Sequence, residues 1–325
     1  MNSWIIIAIG CGLTAAALHA TIVTGSPLSL VLFYLAPLPL FLAGLGWGPV
    51  VAGLAGLVGS ATLAGVIDFR TGAFFLLSAG IAPVLLSRLA LINRPAQAGI
   101  ALEGEAVDSQ TEWYPEGRLI LWCAVIACAL MTATMFVVGG NAEGFQVQVR
   151  AALDAMMTQM SSGMAPEDLA NFEKAIDVFA RLAAPLAAAI WLLATLLNLW
   201  IASWILKASN HSPRPWAPFA GYALPKSAGL ILAGTMLASL LPGTLGLIAL
   251  IGLMLMTTVF TVIGLATLHG LTIGNPMRSF ILTSVYLALF VLSWVVMVPL
   301  IILALVDMQF NLRARKRTAA GPQDE

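Results

Sequence analysis

Residues 48 to 65 read GPVVAGLAGLVGSATLAG, and a small residue recurs at every fourth position: Gly48, Ala52, Gly56, Ser60 and Ala64. Four residues is slightly more than one helical turn, so these positions form a slowly drifting strip along which a second backbone can approach closely. The stretch carries no charge and is built for helix packing inside a bilayer. A Gly56→Leu substitution is expected to overpack that contact.

Composition extends the reading to the whole chain. With 60% hydrophobic residues, 9% charged and a mean hydropathy of +0.96, the sequence holds more apolar surface than a soluble domain can hide. The 15 Lys+Arg balance 15 Asp+Glu, which leaves no basic footprint for nucleic acid. Cys11, Cys123 and Cys128 lie in apolar runs without C-x-x-C spacing and read as small hydrophobes. The first apolar run has no Lys or Arg ahead of it, so a retained span is expected rather than a cleaved signal peptide.

Windows of about 20 residues, the length that crosses a hydrocarbon core, pick out segments near 4–23, 27–45, 48–67, 72–93, 118–139, 178–206, 225–241, 245–268 and 280–308. The predicted fold class is all-α: a polytopic transmembrane helical bundle of about 8–10 membrane segments, one domain over 1–308, followed by a basic then polar tail, 309–325. The last segment is too long for one crossing and holds Ser293-Trp294 near its middle and Pro299 beyond. It is one tilted helix or two short ones. If it folds back as a hairpin, an N-inside arrangement places 11 of the 15 Lys and Arg on the inner side, and the positive-inside rule favours that even count. The expected location is a bacterial inner membrane with both termini cytoplasmic.

Three connections exceed a turn. Residues 95–117 carry Glu103, Glu105, Asp108, Glu112 and Glu116 and end in Trp113-Tyr114-Pro115, which reads as an acidic loop with an interfacial aromatic anchor. Residues 141–177 predict an amphipathic extramembrane helical pair. Phe145, Val149, Ala152, Leu153, Met156, Met157 and Met160 share one face of its first helix, with Arg150 and Asp154 on the other. Its second helix starts at Pro166-Glu167-Asp168 and continues through Leu169, Phe172 and Ile176. This pair reads as an interfacial strut or as a lid over an outward cavity. Residues 207–226 contain Pro213, Pro215, Pro218 and Pro225 among Trp216, Phe219 and Tyr222. An ordinary helix is ruled out there, while the aromatics call for partial burial against the inner face.

Chemistry at membrane depth needs ionisable or metal-binding groups, which are costly there, and the sequence offers few. No H-E-x-x-H, G-x-S-x-G or Walker A pattern occurs, so neither enzyme activity nor a metal or cofactor is expected. The candidate ligand-binding residues are His19, Tyr34, Asn198, Trp200 and Trp204. His19 is the deepest ionisable group, and Asn198 lies in an apolar run beside two indoles. Tyr34 opens Y-L-A-P-L-P, where Pro37 and Pro39 strip carbonyls one turn earlier of their donors. A broken helix of this kind either lines a binding site or is satisfied by a neighbouring helix.

The runs Tyr34-Leu35-Ala36-Pro37-Leu38-Pro39 with Gly44-Leu45-Gly46-Trp47-Gly48, Trp113-Tyr114-Pro115-x-Gly117-Arg118, Asn198-Leu199-Trp200, and Arg214-Pro215-Trp216 with Leu224-Pro225 together resemble the YybS-like family of uncharacterised bacterial membrane proteins. That family is similar in fold, distantly, to the S components of energy-coupling-factor transporters. The resemblance implies a compact helical bundle that binds a small molecule and associates with a cytoplasmic ATPase module through small residues on its first helix. Ala16 and Ala20 have that spacing here. The expected function is therefore a small-molecule binding or transport subunit. The alternatives are a cell-envelope scaffold that docks other membrane proteins and a lipid-handling protein that uses the outer helical pair.

Overall fold

The computed structural model describes residues 3–95, 111–158 and 166–319. Glu103, Glu105, Asp108 and Met160 lie outside them, and the side chains of Met156, Met157, Pro166, Glu167, Asp168, Leu169 and Phe172 are likewise undescribed. The described residues are helical throughout, apart from one short antiparallel strand pair and the connections. Seven helical stretches are long and apolar enough to cross a membrane: Ser3–Thr24, Pro27–Trp47, Pro49–Val66, Phe69–Ala90, Glu116–Gly139, Glu173–Ala208 and Gly243–Leu271. Three shorter apolar helices accompany them, Ser227–Ala238, Arg278–Leu292 and Trp294–Phe310. Every segment expected from hydropathy is present.

The chain packs as two compact units, Met1–Cys123 with Leu193–Ala217 and Ala124–Leu192 with Pro218–Glu325. In the first, α1 (Ser3–Ala20), α2 (Pro27–Tyr34), α3 (Pro37–Trp47) and α4 (Pro49–Val66) are followed by α5 (Phe69–Phe75), a π-helical turn (Leu76–Gly80) and α6 (Ile81–Ala90). Pro83 explains the π turn, because it cannot donate to the Ala79 carbonyl and the ladder shifts to i→i−5, with the Ile81 N–H bonded to Leu76. The core of this unit is largely alanine: Ala8, Ala15, Ala16, Ala36, Ala43, Ala55 and Ala79 pack around Leu40, Val51, Leu63 and Phe75. Small cores let backbones meet. A Cβ at Gly12 would stand 2.5 Å from the Ala55 carbonyl oxygen, and one at Gly72 would stand 2.5 Å from that of Ser60.

Helix α4 therefore has two packing faces. The stripe legible in the sequence meets α3 at Ala52, which faces Gly44, and the π turn at Gly56, which faces Gly80. It meets α5 at Ser60 and Ala64, where Ser60 Oγ donates to the Gly72 carbonyl at 2.9 Å. Gly48 lies in the reversal between α3 and α4 with φ +105°, a conformation that favours glycine. The second face, Ala55 and Gly59 against α1, is not part of the four-residue stripe.

Strands β1 (Asn93–Pro95) and β2 (Thr111–Trp113) pair antiparallel, with Arg94 Nε on Glu112 at 2.8 Å. They lead into α7 (Glu116–Gly139). In the second unit, α8 (Ala142–Thr158) is the amphipathic helix expected from the sequence. It buries Ala142 and Phe145 and joins Arg150 to Asp177 of α9 (Pro166–Ala208) as well as to Asp154. The second helix of the expected pair and the span after it form this one continuous helix.

Helices α10 (Ser227–Ala238) and α11 (Gly243–Leu271) pack together, and α12 (Arg278–Leu292) and α13 (Trp294–Phe310) are separated at Ser293, φ +36°. The ninth apolar segment is thus two short helices. The basic helix α14 (Leu312–Ala319) follows, and its Lys316 donates to the carbonyls of Leu271 and Ile273 at 2.6 Å each. The chain that leaves the end of α11 at Arg278 is consequently back beside it by residue 316, so α12 and α13 form an out-and-back pair. At 1.5 Å per residue their 15 and 17 residues span about 22 and 25 Å, short of the roughly 30 Å of a hydrocarbon core.

Candidate functional site

The two prolines of the Tyr34–Pro39 run break the second span, and each freed carbonyl has a traceable fate. Pro37 cannot donate to Phe33, whose carbonyl takes the Ala36 N–H at 3.2 Å; Pro39 cannot donate to Leu35, which takes the Leu38 N–H at 3.0 Å. That second bond removes the natural partner of Tyr34. Its carbonyl accepts instead from Asn198 Nδ2, 164 residues away, at 2.8 Å, and the same nitrogen donates to Ala194 at 2.7 Å. The break is closed by a neighbouring helix through one side chain.

Asn198 is fully buried, and among the described residues its Oδ1 takes no hydrogen-bond partner. A buried amide oxygen without a donor costs about 1–3 kcal/mol. On α2, just before the break, the Phe33 ring lies edge-on 5.4 Å from that of Tyr34 and tilted 4.6 Å from that of His19. His19 is 3% exposed, with Phe75 edge-on at 5.1 Å and Phe74 at 6.0 Å. Among the described residues its ring nitrogens take no hydrogen-bond partner. The fold thus connects three of the five candidate ligand-binding residues, His19 to Phe33 to Tyr34 to Asn198, inside the first unit. Trp200 and Trp204 are not brought in: they are 58% and 61% exposed, on the side of α9 away from Asn198. Phe33 and Phe75 were not singled out from sequence, because a phenylalanine in an apolar run carries no signal of its own.

Ala16 is packed in the alanine core and Ala20 lies partly buried at its edge, so this face of α1 is occupied by the chain's own α4. Among the described residues, no group of three or more His, Cys, Asp or Glu side chains is placed to hold a metal ion.

A second cluster joins two runs that the sequence presents separately. Arg214 is 3% exposed. Its guanidinium donates to the carbonyls of Ala90 at 2.9 Å and Tyr114 at 3.1 Å, pairs with Glu116, and lies 4.3 Å from the Trp216 ring centroid and 5.8 Å from that of Trp113. Glu116 also accepts from the Ala217 N–H at 3.2 Å. The 113–116 and 212–217 stretches are therefore cross-braced through a buried ion pair, and Trp113 and Tyr114 are part of that brace as well as of any membrane anchor. The aromatic placement of Trp216, with an arginine two residues before it and prolines on both sides, is the sequence signal for this site. An analogous brace closes the second unit, where Arg313 pairs with Asp307 at 2.8 Å and donates to Ala220 and Tyr222.

A family model described as predicted membrane protein (DUF2232) matches residues 13–308. The chain belongs to this family. The match covers both the Tyr34–Asn198 junction and the Arg214 brace, and it makes the chain a multi-span membrane protein in contact with the lipid bilayer. No curated protein and no solved structure matches the chain.

Proposed function

We propose that the chain is a non-catalytic small-molecule binding or transport subunit whose ligand site lies at the α2–α3 break. The observation that carries this reading is the unpaired Oδ1 of the fully buried Asn198. Membrane interiors hold broken helices where freed polar groups meet a neighbour or a ligand. Here the freed carbonyls are satisfied, and what is left over is a buried side-chain acceptor on Asn198, while the His19 imidazole reaches the same break through its contact with Phe33. The resemblance to YybS-like proteins and to transporter S components agrees with this reading. It adds an expected ATPase module as partner and a bacterial inner membrane as location; the expected cytoplasmic placement of both termini comes from charge. An arrangement with the N-terminus inside and the ninth segment folded back places 11 of the 15 Lys and Arg on the inner side, and the positive-inside rule supports that orientation.

Native mass spectrometry of the protein, extracted gently from its own membrane, tests the reading. A retained small molecule that is lost in Asn198→Leu is the expected result. Protein that carries only lipid and envelope proteins refutes it and turns the assignment toward a scaffold. A scaffold draws its own support from the indoles of Trp200 and Trp204, which stand free on the surface.

A further inference from the structure

The α12–α13 pair limits how thick a bilayer can be where it meets this flank of the second unit. The base of the pair is polar: Arg278 opens α12, the Asp307–Arg313 ion pair closes α13, and Lys316 ties α14 to the end of α11 at Leu271. Between those charges, residues 279–306 contain no Asp, Glu, Lys or Arg. The tip at Ser293 is 15 residues from Arg278 and 14 from Asp307, about 22 and 21 Å along the two helices. Tilt would only reduce that reach. Helix α11 gives the same measure from the side. Its Gly264 lies against the Leu300 carbonyl, so the tip, seven residues beyond Leu300, stands beside Thr257, and α11 runs on for a further 14 residues to Gly243.

Two properties of the tip set the level at which it rests. The reversals before α8 and α12 use Gly140-Asn141 and Gly274-Asn275, residues suited to turns in water. This one is Leu292-Ser293-Trp294, and Phe290, Val291 and Trp294 around it are 86%, 66% and 74% exposed. Such a tip does not project into water. Nor does it stop in hydrocarbon, where the last carbonyls of α12 and the first N–H groups of α13 would have no water to bond. The headgroup layer meets both demands, and an exposed indole settles there.

We infer that the bilayer is drawn in around α12 and α13, to a hydrocarbon thickness of about 21 Å in place of the usual 30 Å or so, and that this flank prefers phospholipids with short acyl chains. The surface offered to those chains is large, since no residue of α12 is buried and α12 packs on α13. It continues the lipid contact of a multi-span membrane protein, and the inference is independent of the small-molecule reading above.

The test places the full chain in nanodiscs of dimyristoleoyl, dioleoyl or dierucoyl phosphatidylcholine and labels single cysteines with a membrane-impermeant maleimide. Cys11, Cys123 and Cys128 are replaced by alanine; Ser293→Cys reports the tip and Ser279→Cys, at an exposed position, the polar base. The tip is expected to react in the shortest lipid and about tenfold or more slowly in the longest, while the base reacts alike in all three. Hydrogen exchange of the unaltered chain makes the same comparison without any substitution: exchange at residues 293–296 should slow as the lipid lengthens, and at 272–277 it should not. A tip labelled equally fast in every lipid overturns the inference, because it then meets water whatever the thickness. A tip unreactive even in the shortest lipid overturns it too, and makes the pair a re-entrant hairpin held in hydrocarbon.

Discussion

A single methyl group can probe the contact between α1 and α4. In Gly12→Ala the added Cβ would lie 2.5 Å from the Ala55 carbonyl oxygen and 2.8 Å from Val58 Cβ, where ordinary contact begins near 3.4 Å. The helices must separate by about 0.9 Å or the side chains must shift. Overpacking of this size costs about 1–3 kcal/mol, against a gain of about 0.5–1 kcal/mol from replacing a helical glycine by alanine. Gly56 on α4 behaves differently, because its added Cβ would meet Gly80 Cα at 3.6 Å and Leu76 Cδ1 at 3.7 Å, both ordinary contacts. Gly10 on α1 has nothing within 4 Å and isolates the propensity term. Gly10→Ala and Gly56→Ala are expected to be neutral or stabilising, and Gly12→Ala to be destabilised by roughly 1–2 kcal/mol net, about 5- to 30-fold in the folded ratio. Tryptophan fluorescence during titration of dodecyl sulfate into detergent micelles would rank the three. If Gly12→Ala unfolds with Gly10→Ala, the claim that α1 and α4 meet backbone to backbone is refuted. Gly56→Leu remains expected to destabilise, since a methyl fits against Gly80 and three further carbons do not.

Glu116→Gln is expected to destabilise by about 3–5 kcal/mol because it leaves the Arg214 charge buried without its counter-ion; Arg214→Met in the same background should recover much of that loss in the same titration, and no recovery would count against the brace. Asn198→Leu frees the Tyr34 carbonyl and should cost about 1–3 kcal/mol, with hydrogen exchange rising at residues 34–38 and not along α4. At Ser293 the left-handed φ of +36° strains any side chain, so Ser293→Gly is expected to raise the unfolding midpoint, by about 1 kcal/mol, whereas a drop would mean that the hydroxyl matters more than the backbone. The Asp68 carboxylate caps α5 by accepting the Thr71 N–H at 2.8 Å, which holds its pKa below the usual carboxylate range. A folded pKa below the unfolded one gives stability that is present above the unfolded pKa and lost as pH falls through the folded value. Asp68→Asn should remove that acid dependence, and an unchanged acid profile would refute the cap's contribution.

Local rules made most of the fold legible in the sequence. The apolar segments, the break at Pro37 and Pro39, the amphipathic α8 and the α4 stripe all follow from periodicity or from a missing N–H, which act within a turn or two of the residue concerned. Even the split at Ser293 was one of two open readings of an overlong segment. What tertiary structure alone decided was pairing at long range. Nothing within a turn of Asn198 shows that it closes the gap at Tyr34, or that Trp200 and Trp204, two and six residues later, face outward instead. Arg214 reaches partners 98 to 124 residues away, and neither of the two runs it joins reveals the other. The second face of α4 stayed hidden for the same reason: whether Gly12 and Gly59 are spacers or contact points depends on which helix comes to lie against them. A sequence states what each segment can bury, and only the packed chain settles against what, because helix contacts among small residues are set by shape across the whole bundle.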